Sequence, residues 1–139
     1  MTEAVVVTLH NRLSELERLS EAVTSFGEGH RLPEKTLYAL NLALDEIVTN
    51  IISYGYDDQA DHQINLRLSI GDGEVTAEVE DDGKPFNPLE APEPDVTKPI
   101  EERQVGGLGI HLTRKLMDRL AYERRQGKNR LLLWKRVTE

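Results

Sequence analysis

Apolar residues recur at helical spacing from Leu37 to Tyr56, a stretch that reads LYALNLALDEIVTNIISYGY. Its leucines, isoleucines and valines form one wide apolar face, which predicts an amphipathic helix. Pro33 can open the first turn, where its missing N–H donor is not needed. Glu46 and Asn50 lie four residues apart, so they project from the same side of this helix, at the edge of the apolar face. A carboxylate and a carboxamide placed there leave room for a ligand.

Strands are predicted on both sides of this helix. A β-branched run indicates a first strand, and apolar residues then alternate with polar ones in a hairpin around Gly71-Asp72-Gly73. A closing hairpin is predicted around Gly127-Lys128-Asn129, with Trp134 packed in the core. The predicted strands are residues 3–10, 64–70, 75–79, 122–125 and 130–137.

Two further helices complete the pattern. Apolar residues recur every three to four positions from Arg12 to Phe26, with Asn11 as the N-terminal cap and Gly27 and Gly29 at the end. The last helix is predicted over Ile110 to Leu120. These elements predict one domain over residues 1–139: an α/β two-layer sandwich in which a mostly antiparallel sheet of about five strands carries three helices on one face.

Asp81 belongs to the inward-facing set of its strand by the alternation of apolar and polar residues. A carboxylate aimed at a buried face must find a strong partner, because an unpaired one costs several kcal/mol. Asp82 points the other way and is expected in solvent. Gly83 follows and allows the backbone to approach another group closely. The sequence therefore singles out Asp81 as an inward carboxylate that needs a strong partner.

The chain changes character between Lys84 and Val105, where five prolines and five acidic residues interrupt every periodicity. A connection of this length in a small domain is typical of a functional lid. It ends at Gly106-Gly107-Leu108-Gly109, directly before the last predicted helix. Glycines that enter a helix N-terminus can place free N–H groups around phosphate oxygens.

Composition narrows the classes of function. The 139 residues carry a formal net charge of −8 and no cysteine, which disfavours nucleic-acid binding through a basic face and excludes disulfides and thiolate metal sites. No apolar run is long enough to span a membrane and the N-terminus lacks a signal-peptide core, so we expect a cytoplasmic protein without membrane association. The histidines show no metal-ligand spacing and are predicted at the surface: His10, His30, His62 and His111.

The order of these motifs resembles the GHKL superfamily of ATPases, whose nucleotide pocket is the Bergerat fold. Within it the chain is most similar to the bacterial anti-sigma-factor serine/threonine kinases, through LDEIVTNIISYGY, VEDDGKPFNP and GGLGIHLTRKLMDRL. Three positions depart from the family pattern. Pro85 stands where the family has a second glycine, two residues after Gly83 of the Asp-x-Gly motif. Tyr54 stands where relatives often have histidine, and no basic residue immediately precedes Gly106.

The resemblance implies ATP and Mg²⁺ as cofactors and a role for each motif residue. Glu46 would be the general base of phosphoryl transfer, and Asn50 would bind Mg²⁺ through its side-chain oxygen. Asp81 would accept a hydrogen bond from the adenine amino group, and Gly83 would let the adenine pack closely. The residues expected at the phosphates are Gly107, Leu108, Gly109 and, at the γ-phosphate, Arg103.

The implied function is phosphorylation of a serine or threonine on a STAS-type anti-sigma-factor antagonist, together with restraint of a sigma factor in a partner switch. Relatives often form dimers, so a homodimer is a further expectation. One alternative is an ATP-binding partner switch without phosphate transfer, against which the intact Glu46 weighs. Another is the ATPase half of a sensor histidine kinase, but no helical hairpin with a phospho-acceptor histidine precedes the first strand.

Overall fold

The computed structural model describes residues 4–90 and 113–137. Its main elements are β1 (Ala4–His10), α1 (Leu16–Gly29), α2 (Glu34–Tyr54), β2 (Gln63–Gly71), β3 (Glu74–Asp81), β4 (Arg119–Arg125) and β5 (Lys128–Arg136). Within the described residues, the five strands form one sheet in the order β1-β2-β3-β5-β4, and all four pairings are antiparallel. Helices α1 and α2 share one core with one face of this sheet, and residues 113–116 are also helical. The predicted two-layer α/β sandwich is confirmed.

The core lies between the helices and the inner face of the sheet. The apolar face of α2 is buried as predicted, and the inward residues of β2 and β3 alternate with exposed or half-buried ones. Asp81 closes this inward series and is buried, so its predicted orientation is confirmed. Among the described residues, no helix combines the length and the apolar character that crossing a membrane would require.

Both hairpins turn on a pair of residues in the left-handed region. Asp72 and Gly73 have φ of 54° and 74°, and Gln126 and Gly127 have φ of 53° and 77°. Such pairs make the two-residue turn whose twist matches antiparallel strands. The first turn agrees with the prediction. The second begins one residue earlier than predicted, so Asn129 lies within β5 and faces the core instead of occupying the turn.

The start of the chain differs from the prediction in its details. The helix expected from Arg12 begins as a 3₁₀ turn over Leu13–Glu15 and continues as α1 through Gly29. Asn11 is not a helix cap. Its Oδ1 accepts a hydrogen bond from the His62 N–H at 2.8 Å, so this side chain instead joins the end of β1 to the start of β2.

The last part of the chain differs from the prediction in two places, the end of the last helix and the position of Trp134. The helix predicted to continue to Leu120 ends earlier, because β4 begins at Arg119 and pairs there with Trp134. Trp134 alternates with the buried Leu133 and therefore lies on the outer face of the sheet, where it is half-buried. The Arg119 guanidinium lies 4.0 Å from the centre of its ring. This cation–π contact, and not core packing, accounts for the position of the tryptophan.

Candidate functional site

A cavity of about 660 Å³ opens between α2, the end of β3 and the start of β5. Its volume lies in the range of small-molecule binding sites, about 300–1,000 Å³. Apolar and aromatic side chains make most of its wall: Ile47, Ile51, Tyr54, Val79, Phe86, Tyr122 and Leu131. The polar side chains that reach it include Asn50, Asp81 and Asn129. A mostly apolar cavity with a few polar groups is typical of a small-molecule binding site.

The Asp81 carboxylate lies in the wall of this cavity and is only 5% exposed. Its Oδ1 accepts hydrogen bonds from the Gly83 N–H at 2.8 Å and from Nδ2 of Asn129 at 3.0 Å. Burial raises the pKa of the Asp81 carboxyl, and these two hydrogen bonds act in the opposite direction. Both bonds go to Oδ1, so neither of them occupies Oδ2.

Asn129 is a site residue that the sequence analysis missed. It is 7% exposed, and its Nδ2 also donates to the Lys84 carbonyl at 2.8 Å. Its Oδ1 accepts from the Tyr122 hydroxyl and from the Phe86 N–H. The side chain therefore fixes both Asp81 and the segment that follows β3. Placing the turn at Gln126-Gly127 would have assigned Asn129 to the strand, but only the pairing of β5 with β3 shows which face it occupies.

Gly83 permits a close contact between two motifs that are distant in sequence. A Cβ at this position would lie 2.7 Å from the Gly55 carbonyl oxygen, at the end of α2, and 2.9 Å from Oδ1 of Asp81. The Lys84 N–H donates to the same Gly55 carbonyl at 2.8 Å, and Nη1 of Arg124 donates to the Gly83 carbonyl at 2.8 Å. The close approach predicted for this glycine is thus to the protein backbone, while its contact with adenine stays a prediction.

Asn50 and Glu46 lie on successive turns of α2. Asn50 lines the cavity, and its Nδ2 is buried without a hydrogen-bond partner in the described part of the chain. This nitrogen could donate a hydrogen bond to a ligand, and a carboxamide oxygen is of the kind that suits the hard Mg²⁺ ion. Glu46 is half-buried and does not belong to the cavity wall. The two residues are thus close along one helix, but only Asn50 reaches the cavity.

Residues 4–90 and 113–137 contain no group of three or more histidine or acidic side chains that could hold a metal ion. Mg²⁺ in nucleotide sites commonly binds one or two protein side chains together with phosphate oxygens and water. The donor set fits a metal that enters together with its nucleotide.

Several predicted site residues lie outside the described residues. They are Arg103, Gly107, Leu108 and Gly109, together with residues 91–105 of the predicted lid. The beginning of that segment is described, and Phe86 and Pro88 line the cavity.

Comparison with known proteins agrees with the fold. The pattern of the histidine kinase-like ATPase domain matches residues 9–135. The chain is 33% identical over 96 residues to the serine/threonine-protein kinase BtrW of Bordetella bronchiseptica, an alignment that covers 69% of this chain and 68% of the relative. It is 35% identical over 85 residues to an anti-sigma F factor of Clostridium botulinum, covering 58% of this chain and 57% of the relative.

A solved structure of the RsbU and RsbW domains of a Mycobacterium tuberculosis protein superposes with a TM-score of 0.72 at 16% identity. The superposition covers 97% of this chain and 32% of that chain. At this identity the likeness concerns the fold alone, and the present chain spans about a third of the solved one. Because the family pattern extends over residues 9–135 and the fold agrees with it, the chain belongs to the histidine kinase-like ATPase family.

Proposed function

We propose that the cavity binds ATP together with Mg²⁺, and that the chain is a serine/threonine protein kinase of the anti-sigma-factor type. The observation that carries this proposal is the buried Asp81 carboxylate in the wall of an otherwise mostly apolar cavity. Adenine presents two flat faces that suit apolar walls and an exocyclic amino group that can donate to Oδ2 of Asp81. The family match, which is to an ATPase domain, supports the same ligand.

The remaining roles follow from the chemistry of phosphoryl transfer. Asn50 would hold Mg²⁺, which supplies neutralisation of the phosphate charge when bound. Glu46 would accept the proton of the attacking serine or threonine hydroxyl as its oxygen bonds to the γ-phosphorus. The bond from that phosphorus to the bridging oxygen breaks, and ADP leaves. Gly107, Leu108, Gly109 and Arg103 are proposed to contact the phosphates.

The position of Glu46 is compatible with this role. A general base must meet the substrate hydroxyl and not the adenine, so it need not line the adenine cavity. Its place one turn from Asn50 would put it near the phosphate end of a nucleotide whose base contacts Asp81. The same position leaves a second candidate open, an ATP-binding switch module that transfers no phosphate, because Glu46 does not reach the cavity wall.

We further propose that the phosphate acceptor is a STAS-type anti-sigma-factor antagonist and that the same domain restrains a sigma factor. Relatives named serine/threonine-protein kinase and anti-sigma F factor support the kinase and anti-sigma roles. The STAS-type antagonist is what the resemblance to the anti-sigma-factor kinases implies. A homodimer belongs to the same proposal. The formal net charge of −8 would favour a protein partner with a basic surface.

Single-turnover transfer from γ-labelled ATP to a purified STAS-type antagonist of the source organism tests the proposal. We expect Mg²⁺-dependent labelling of one serine or threonine, identified by phosphosite mapping. Labelling of a histidine instead would indicate the sensor-kinase class. Tight binding of ATP and antagonist without any transfer would establish the switch module.

A further inference from the structure

We propose that His62 is a positioning residue of the nucleotide site: its protonated imidazole holds Asp82, and with it the adjoining end of β3 where Asp81 lies, so that nucleotide affinity falls when His62 loses its proton. This inference rests on the proposed binding of a nucleotide beside Asp81. It assigns a role to a histidine that the sequence pattern placed at the surface without a function.

Both nitrogens of the His62 ring face carboxylates. Nε2 lies 2.7 Å from Oδ1 of Asp58, and Nδ1 lies 3.1 Å from each carboxylate oxygen of Asp82. A neutral imidazole carries one N–H, whereas the charged ring carries two. Only the charged ring can therefore donate to both carboxylates at once, and this geometry favours the protonated form.

The ring is also fixed from its other sides. The Tyr56 ring stacks on it, with 4.2 Å between the ring centres and 15° between the planes. The His62 N–H donates to Oδ1 of Asn11 at 2.8 Å, and its carbonyl accepts from the Asn11 N–H at 3.1 Å. His62 is thus anchored to the end of β1, so its contact with Asp82 connects the turn after β3 to a fixed point of the sheet.

The charged surroundings of His62 are predominantly acidic. Lys128 is paired with Glu80 at 3.5 Å and is the cation of a small polar cavity beside the ring. Hydrogen bonds from the ring to Asp58 and Asp82 raise the pKa of His62, against a smaller opposing effect of burial. The titratable and charged groups around the ring are Tyr56 and Asp58 from the segment after α2, Asp61 before β2, Glu80, Asp81 and Asp82 at the end of β3, and Lys128 on β5.

Asp82 lies between His62 and Asp81 in the electrostatics of the site, because it contacts the His62 ring and its charge acts on Asp81. The negative charge of Asp82 contributes to raising the pKa of the Asp81 carboxyl, next to which it stands in the chain. A protonated His62 offsets that charge and helps to keep Asp81 ionised as a hydrogen-bond acceptor. Because the pKa of His62 is raised, the contact is complete at low pH and is lost as the pH rises through the raised value.

His10 offers a matched control for a substitution at His62. Its Nδ1 lies 3.1 Å from Oδ1 of Asp61, in an exposed histidine–aspartate pair on the neighbouring strand. His10 is paired with Asp61, whereas His62 is paired with Asp58 and Asp82, so a substitution at His10 leaves the contact of His62 with Asp82 in place. His10→Gln and His62→Gln therefore remove the same kind of group from two places, of which only one supports Asp81.

The experiment is calorimetric titration with Mg-ADP between about pH 5.5 and pH 8.5, on either side of the ordinary pKa of histidine. The titration of the ADP phosphates is common to all variants and cancels in the ratio of affinities. We expect the wild type to bind about two- to fivefold more tightly than His62→Gln at the low end, the effect of a partly exposed ion pair. The ratio should approach one at the high end, and His10→Gln should follow the wild type throughout.

A ratio that does not change with pH, or a His10→Gln variant that behaves like His62→Gln, would overturn the inference. An NMR titration of the His62 ring in the nucleotide-free protein tests the contact itself: Asp82→Asn should lower the pKa of His62, and an unchanged value would refute the contact. Failure of the wild type to bind the nucleotide at any pH would refute the proposed function instead, and the NMR result would distinguish the two failures.

Discussion

The Asn129 side chain donates a hydrogen bond from Nδ2 to Oδ1 of Asp81 over 3.0 Å, and the two residues are direct partners in the pairing of β3 with β5. This bond holds the buried carboxylate in the cavity wall through its Oδ1. The proposed adenine acceptor is therefore held by a residue 48 positions later in the chain.

Asp81→Asn should weaken adenine-nucleotide binding by about 1–3 kcal/mol, the range for a hydrogen bond to a charged group. Calorimetry with ATP and Mg²⁺ gives the affinity, and thermal unfolding shows that the variant is folded. Asp72→Asn is the matched control, because Asp72 sits in the turn at the far end of the hairpin with φ of 54°, which asparagine tolerates. An unchanged affinity in folded Asp81→Asn would remove this residue from the nucleotide site.

Asn129→Ala should lower the free energy of unfolding by about 1–3 kcal/mol, because it removes one of the two donors to the buried Oδ1 of Asp81 and the side-chain donor to the Lys84 carbonyl. Urea denaturation measures this loss. Asn65→Ala removes the same side chain from a solvent-exposed hydrogen bond with Thr8 and should change the stability by no more than about 0.5 kcal/mol. Equal effects of the two substitutions would contradict the structural role of Asn129.

Gly83→Ala should destabilise the protein by about 1–3 kcal/mol, because its methyl group would lie 2.7 Å from the Gly55 carbonyl oxygen and force the backbone apart. Gly29→Ala is the control. No atom lies within 4 Å of a Cβ at Gly29, which ends α1, so this change should be neutral or stabilising by up to about 1 kcal/mol. Thermal or urea unfolding of both variants decides the matter, and a Gly83→Ala protein as stable as the wild type would refute the close contact.

Asn50→Ala should abolish the dependence of nucleotide affinity on Mg²⁺ while preserving the fold. The unfolding free energy should stay equal or rise, because the substitution removes a buried Nδ2 that has no hydrogen-bond partner among the described residues. Affinities measured with Mg²⁺ and with a chelator test the first statement, and urea denaturation tests the second. If the variant still binds ATP more tightly with Mg²⁺, Asn50 is not the metal ligand.

Glu46→Gln should retain ATP and antagonist binding yet transfer phosphate at least about 10²-fold more slowly, the usual effect of removing a general base. Its neighbour Asp45 provides the control, since it lines a separate shallow groove between α1 and α2. Asp45→Asn should transfer phosphate at the wild-type rate. If single-turnover assays give the reverse result, the base is Asp45.

Helices and strands with a clear local pattern of apolar and polar residues could be predicted from the amino-acid sequence alone. The helical period of α2 fixed its buried face, and the period-two alternation of β3 fixed the inward direction of Asp81, because burial selects one face of each element. The Asp-Gly turn between β2 and β3 was equally readable, since its residues tolerate positive φ. The roles of Glu46, Asn50 and the glycine segment remain predictions from the resemblance.

The contacts between segments that are far apart in the chain could not be predicted from the sequence and are seen only in the folded protein. A one-residue shift of the last turn moved Asn129 from a loop into β5, where its pairing with β3 places it against Asp81. Strand β5 is apolar on both faces, so alternation alone could not tell that Trp134 points outward and Leu133 inward. The contact of Gly83 with Gly55 and that of His62 with Asp82 likewise follow from packing. Sequence periodicity specifies which side of an element is buried but not what lies opposite it.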